Sequence, residues 1–460
     1  MSKEKKKENL RRMLTAKSVA VVGASNNPDK WGYKYIDNLH KGGYEGIIYP
    51  INSREETILG EKVYKTVLDV PGEIDLMIIT VPLKAVNDVI RQGIEKGVPG
   101  AALITSGYRE MGRRDLELEI LDIIKDTDFR ILGPNIPGFN MVPNKLNAAV
   151  VAVLERMGPI GIISQSGSIS ATASEWMDKG RVGLSGLVNL GNEIDISETE
   201  LLDFYRDQEE TKVITMYLEG IKDKEDFKKM LPAVCQEKPV VIMKPGRSSL
   251  GKRVSGSHTA SIAGDDDIFT AACAQYGAVR VYDLEAFYDT SRFFGLNPLP
   301  KGNRVFCISS SGGIAGLIAD EMAASGLDMP LFDTKISEEI EANVTLAGSN
   351  FRINPVDLPC FTPQEYCTTL EIVDKYDIAD MYLLALADPV PGIEDMLPEL
   401  AKKTGKPVAV IYCGGGEAEE VGALALQEQG VATYSSPERA VRSMSRAVWY
   451  VNRKEELRNE

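Results

Sequence analysis

Short apolar runs, each closed by a Gly, Ser, Asn or Pro turn, alternate along this chain with longer stretches whose apolar residues recur every three or four positions. The first kind predicts strands buried on both faces of a parallel sheet, the second amphipathic helices. In the first third the pattern predicts strands over 18–22, 46–50, 75–81, 101–105 and 129–132, with helices between them. A second series starts near Pro159, with strands over 161–164, 184–190, 212–218 and 239–243 and helices through Trp176, near 198–205 and over 267–276. Strands alternating with helices imply doubly wound α/β sheets.

After the linker at 297–302 the pattern repeats itself. ISSSGGIAG (308–316) mirrors ISQSGSISA (163–171), MYLLALAD (381–388) mirrors MYLEGIKD (216–223), and KPVAVIYCGGG (406–416) mirrors KPVVIMKPG (238–246). Matches in the same order indicate an internal duplication. The later copy lacks the stretch KPGRSSLGKRVSGSHTASIAG (244–264), and this alignment sets Leu384 where the earlier copy has Glu219. Maintaining the fold requires neither feature, so both are assigned to chemistry.

His258 lies in that stretch and is one of only two histidines in 460 residues. The Gly- and Ser-rich composition predicts a solvated loop able to carry a side chain from place to place. A neutral imidazole is a nucleophile near neutral pH when an acceptor holds its other nitrogen. Glu219, at the end of a predicted strand, is placed to be that acceptor. A solvated surface histidine and a solvated acid are the plainer alternatives. His40 falls at a helix C-terminus, where it complements the dipole.

Two turns are candidate anion sites. Gly23 to Lys30 joins the first strand to its helix, and Gln165-Ser166-Gly167-Ser168 opens another helix; both offer backbone N–H groups to a phosphate, although serines also serve as ordinary caps. The GxGxxG fingerprint is absent, and Asn52 ends the second strand where an acid would hold a ribose hydroxyl, which argues against a nicotinamide cofactor. There is no Walker loop and no GxSxG elbow, against a P-loop nucleotidase and a serine hydrolase.

Composition narrows the class further. A net charge of −15 disfavours a general nucleic-acid or anionic-membrane binder. Six cysteines without metal-ligand spacing predict free thiols in a reducing compartment and no metal site. The opening is charged and no apolar run is long enough to span a bilayer, so a cytoplasmic multidomain protein is expected.

The motifs GASNNPDKWG (23–32), ITSGY (104–108), GPN (133–135), ISQSGS (163–168), VNLGNEIDI (188–196), YLEG (217–220), the His258 stretch and NPVDL (354–358) follow in an order that resembles the α subunit of ADP-forming acyl-CoA synthetases. Succinyl-CoA synthetase α is a more distant likeness and would end before the third unit. The resemblance implies a Rossmann-like CoA-binding domain (8–145), a flavodoxin-like ligase domain with a phosphohistidine loop (156–296) and a second flavodoxin-like domain (303–460). It implies reversible conversion of acid, CoA and ATP to acyl-CoA, ADP and phosphate through an acyl phosphate and a phosphohistidine. His258 would carry the phosphoryl group and Glu219 would orient it, with Gln165, Ser166, Gly167 and Ser168 holding phosphate. Coenzyme A would lie against Gly23, Ala24, Ser25, Asn26, Lys30, Pro82, Thr105, Ser106, Gly107 and Asn135. ATP or ADP with Mg²⁺ would bind mainly to a β subunit carrying an ATP-grasp domain, in an α₂β₂ assembly. Ile136 stands where relatives often carry Cys, beside the expected thioester. The other reading is a non-enzymatic CoA-binding regulator or scaffold; Glu219 and the His258 stretch argue against it, because binding CoA needs neither.

Overall fold

The computed structural model describes residues 3–151, 153–259, 265–344 and 350–459, with the backbone alone for 255–259. The first sheet comprises β1 (Ser18–Val22), β2 (Ile47–Ile51), β3 (Leu76–Ile79), β4 (Gly100–Leu103) and β5 (Arg130–Leu132), all parallel, in the order β2-β1-β3-β4-β5. Helices α1 (Lys3–Leu14), α2 (Trp31–Lys41), α3 (Leu83–Lys96) and α4 (Arg114–Ile124) accompany it. The sequence reading left α1 as a merely charged opening, yet Leu10, Met13 and Leu14 form a buried stripe on it. Four lysines on its other side hid that stripe.

The second sheet holds β6 (Gly138–Met141), β7 (Leu146–Ala149), β8 (Met157–Ser164), β9 (Leu184–Asn189), β10 (Val213–Tyr217), β11 (Val240–Met243) and β12 (Val279–Val281), in the order β12-β11-β10-β8-β9-β6-β7. The hairpin β6–β7 was not expected, and β6 pairs antiparallel with β9, so the sheet is mixed. Residues 138–145, assigned from sequence to the first domain, therefore belong to the second sheet. The hairpin hid because its turn, VPNK, ends on Lys145 in a left-handed conformation and carries no Gly signal.

The third sheet is β13 (Val305–Ser309), β14 (Val356–Asp357), β15 (Met381–Leu386), β16 (Val408–Tyr412) and β17 (Ala432–Tyr434), parallel, in the order β14-β13-β15-β16-β17. Its order matches β9-β8-β10-β11-β12, so the duplicated sequence is also a duplicated topology. Register corrects one detail of the alignment. Ser164 pairs with Tyr217 and Ser309 with Ala385, which sets Ala387, not Leu384, opposite Glu219. Leu384 is a core residue inside β15. The conclusion that the later copy lacks the acid is unchanged.

By compactness the chain divides into a unit of Met1–Asp178 with Gly183–Arg280 and a unit of Lys179–Val182 with Val281–Glu460. Within the first, one apolar cluster runs from Leu10 through Ile136, Phe139 and Ile163 to Ala278, so its two sheets share a core. Residues 284–296, expected with the second sheet, fall in the other compact unit.

The expected loop at 244–264 is in part a helix. After α5 (Gly167–Lys179), α6 (Glu198–Arg206) and α7 (Lys224–Cys235), helix α8 spans Ser249–Thr259 and includes His258. Ser248 starts it, its Oγ accepting the Gly251 N–H at 3.1 Å, which satisfies a donor that a helix start otherwise leaves open. Glycine and serine lower helix propensity without forbidding it. The His258 side chain lies outside the described part.

Candidate active site

Both sheets of the first unit change direction of winding beside their first strand, and a crevice opens there at the strand C-termini, where α/β folds place ligands. In the first sheet the crevice lies between β1 and β3. Gly23 leaves β1 at φ +93°, a conformation open to glycine at little cost. A Cβ there would stand 2.7 Å from Thr80 Oγ1, which itself donates to the Val22 carbonyl at 2.9 Å. The resulting turn exposes the N-terminus of α2.

A cavity of about 1030 Å³ fills this crevice and reaches the second sheet. Gly23, Ala24, Ser25, Lys30, Pro82, Thr105, Ser106 and Asn135 line it, and so do Gln165, Ser166, Gly167 and Ser168. The structure thus gathers the expected CoA residues and the expected phosphate turn around one space. Asn26 and Gly107 are not in its lining. Asn26 Nδ2 donates to Glu55 and to the Thr57 carbonyl, and the Gly107 N–H donates to Glu110 Oε1 at 2.5 Å. Asn52 lines the cavity, but its Nδ2 donates to the Ala24 carbonyl at 2.7 Å and its Oδ1 accepts from Arg54 N–H. It braces the turn instead of standing ready for a ribose.

In the second sheet the crevice lies between β8 and β10. Ser166 sits just before α5; Ser164 Oγ donates to its carbonyl at 2.9 Å, and its own Oγ lies 3.2 Å from Ser168 Oγ. The amides of Gly167 and Ser168 have no acceptor within the helix, being in its first turn, and both residues line the cavity at the positive end of the helix dipole.

A second cavity, about 240 Å³, adjoins the first. Arg109, Glu193, Glu219, Gly220 and Lys222 line it, and Gln165, Gly191 and Asn192 line both. Glu219 follows β10 and is 7% exposed. Helix α8 comes within 8 Å, Cα to Cα, of the single turn Arg109–Met111 at the rim of this smaller cavity.

Gln165 differs from the sequence expectation. Its side chain is fully engaged by protein: Oε1 accepts the N–H groups of Glu219 at 2.5 Å and Gly220 at 3.1 Å, while Nε2 donates to Glu193 Oε2 at 2.6 Å and to the Gly220 carbonyl at 3.0 Å. The amide holds the Glu219 turn and is not left to grip phosphate.

Sequence reasoning gave no role to Asn192, Glu193, Glu198, Arg109 or Lys222. Asn192 Nδ2 donates to Glu110 at 2.6 Å and Glu117 at 2.8 Å, and its Oδ1 accepts from Asn135 at 3.3 Å. It ties the two sheets' loops together between the cavities. The run Asn192–Asp195 was the available signal, three polar side chains within four positions following a buried strand.

Among the described residues no helix is long and apolar enough to cross a membrane. The model of the CoA binding domain family matches residues 17–142, and that of the succinyl-CoA ligase like flavodoxin domain matches residues 157–294. The acetate–CoA ligase (ADP-forming) I subunit alpha of Pyrococcus furiosus is 36% identical over 449 residues, covering 95% of this chain and 96% of that protein. Acetate–CoA ligase (ADP-forming) II of Archaeoglobus fulgidus is 34% identical over 462 residues, covering 97% of this chain and 67% of that one. Among solved structures, the dinucleotide forming acetyl-coenzyme A synthetase 1 of Ca. Korarchaeum cryptofilum, in complex with phosphate and ADP, superposes with a TM-score of 0.92 at 31% identity, covering 98% of both chains. Likeness of this extent, added to a cavity that joins a CoA-binding sheet to a phosphate turn, means that the chain belongs to the ADP-forming acyl-CoA synthetases, a family of acid–thiol ligases.

Proposed function

We propose that this chain carries the CoA, acyl-phosphate and phosphohistidine steps of a reversible ADP-forming acyl-CoA synthetase, and that nucleotide binds elsewhere. The observation that carries the reading is the common wall of Gln165, Gly191 and Asn192 between the CoA-sized cavity and the Glu219 cavity. In the direction of ATP formation, a phosphate oxygen attacks the thioester carbonyl, the C–S bond breaks, and the thiolate leaves and takes a proton. The Ser166–Ser168 turn holds the phosphate and its developing charge. An imidazole nitrogen of His258 then attacks phosphorus, the P–O bond to the acyl group breaks, and the carboxylate departs. Glu219 orients the imidazole so that the attacking nitrogen keeps its lone pair. The phosphoryl group finally passes to ADP.

The nucleotide and its Mg²⁺ are assigned to a partner chain with an ATP-grasp domain, in an α₂β₂ assembly. The relative covered almost end to end is named a subunit alpha, and the Archaeoglobus relative has a third of its length outside the match. Acetate, the acid for which both relatives are named, is the first substrate to try.

The test is transfer of label from [³²P]phosphate, with acetyl-CoA and the chain, to an acid-labile and base-stable site. Wild type should incorporate label and His258→Asn should not. Label retained in His258→Asn overturns the assignment, and a chain that binds CoA but takes no label with any partner is a sensor or scaffold instead.

A further inference from the structure

Behind Gln165 lies a pair of carboxyl groups for which the reaction has no direct use. Glu193 follows β9 with φ +53°. Its Oε1 accepts the Glu198 N–H at 2.8 Å and its Oε2 accepts Gln165 Nε2 at 2.6 Å. Glu198 opens α6 with no surface exposed. Its Oε1 accepts the Lys222 N–H at 3.2 Å, and no donor reaches its buried Oε2 among the described residues. An ionised oxygen abandoned in that position is costly. A protonated one is a donor, and the neighbouring carboxylate is Glu193, whose Oε1 already accepts the Glu198 N–H.

The charges around the pair leave room for one proton. Asp195 and Glu200 are both matched by the buried Arg130, at 2.8 and 2.9 Å. Lys222 faces Glu193, Asp195, Glu198 and Glu200, with its Nζ on the Asp195 carbonyl at 2.6 Å. Glu219 and Arg109 line the same small cavity. Lys222 is the cation these carboxylates share, burial pushes its own ammonium down, and a second ionisation would bury an unmatched negative charge.

The duplicated unit supplies a control. There Ser310 occupies the place of Gln165, and its Oγ accepts the Ala387 N–H at 2.8 Å, as Gln165 accepts that of Glu219. Both copies therefore clip the third strand's end to the first strand's end. Only the copy with Glu219 lengthens the clip into an amide that reaches back to a carboxylate pair.

We propose that Glu193 and Glu198 share one proton and, through Gln165, are positioning residues that hold the Glu219–Gly220 backbone for phosphoryl transfer. With the proton on Glu198 the series Glu198–Glu193–Gln165–Glu219 is satisfied donor to acceptor. Loss of that proton to solvent sets two carboxylates against each other and draws Glu193 off Gln165. Burial, together with the neighbouring Glu193 charge, pushes the Glu198 carboxyl up to about 10. The effect therefore falls at alkaline pH. This inference rests on the role proposed for Glu219.

The experiment measures kcat and KM for ATP formation from acetyl-CoA, ADP and phosphate between pH 6 and pH 10.5, using the chain complexed with its nucleotide-binding partner. Gln165→Ala should lower kcat roughly 10- to 100-fold, as the loss of an orienting contact does, with KM for acetyl-CoA changed less than about threefold. Glu198→Gln, which keeps a donor at every pH, should lose the alkaline fall. An infrared difference between wild type and Glu198→Gln at pH 8 should contain the carbonyl stretch of a protonated carboxylic acid, whatever the activities. An unchanged alkaline fall in Glu198→Gln, a normal kcat in Gln165→Ala, or no acid band overturns the relay. Glu219→Gln is the separate control: normal turnover there removes the role of Glu219 itself, whereas impaired turnover with unaffected Gln165→Ala and Glu198→Gln removes only the relay.

Discussion

At the scale of single residues, the chemistry of the site was easier to read than its support. Glu219 stood out because the duplicated copy has no acid there, and the register confirms the absence although the opposing residue is Ala387 and not Leu384. Gln165 was legible as part of a turn, but its four hydrogen bonds reach residues 28 and 54–55 positions away and leave no local trace. Glu198 was less legible still, since a first-turn acid after Ser197 is the ordinary capping-box pattern. Its burial has a consequence for stability. The unfolded chain ionises Glu198 in the usual carboxylate range, while the folded chain keeps the proton to about 10. Folding therefore takes up a proton between these limits, and wild-type stability must fall as pH rises through that window. Glu198→Gln has no such proton. Thermal melts at pH 5 and pH 9 should show the variant gaining on wild type as pH rises, even if it starts lower. A gap that stays constant or closes would mean that Glu198 is ionised in the folded protein.

At the scale of elements, buried parallel strands were predicted to within a few residues, because their apolar runs answer to local burial on both faces. The β6–β7 hairpin and the helical state of residues 249–259 were not predicted. One depends on pairing with β9, more than 40 residues further on, and the other on tertiary setting that overrides weak propensity. The turn after β1 is proposed to bind its anion through backbone amides. Gly23 is its pivot, and alanine there meets both a left-handed backbone and the Thr80 hydroxyl at 2.7 Å. Relief of either would move the amides at the start of α2. Backbone strain of this kind costs on the order of 1–3 kcal/mol, so Gly23→Ala should weaken CoA roughly 10-fold or more by calorimetry while the melting transition remains cooperative. Unchanged CoA affinity would place the ligand away from this turn.

At the scale of the whole molecule, three sheets of the same winding have been put to unequal use. The first two share a core, and the cavities they border meet at Gln165, Gly191 and Asn192. The third repeats the winding of the second and keeps the clip, yet has no counterpart of Glu219 or of residues 244–264. The ligands the proposed function assigns to this chain are CoA, acyl phosphate and the phosphoryl group on His258. The adenine nucleotide is not among them. A phosphohistidine can pass its group to ADP only when donor and acceptor atoms come within bonding reach, so the proposed division of sites requires His258 to approach a nucleotide held on a partner. A conformational step of that kind is a common gate on turnover. The expected outcome is a division of activities. The purified chain should exchange label from phosphate onto His258 in the presence of acetyl-CoA, yet form ATP only when the partner is added. Stopped after the first stage, labelled chain mixed with partner and ADP should lose its label to ATP without further acetyl-CoA. Luciferase detection of ATP, alongside counting of protein-bound label, reads both stages in one sample. ATP formed at comparable rates by the isolated chain would place the nucleotide site on this chain and dispense with the transfer between subunits.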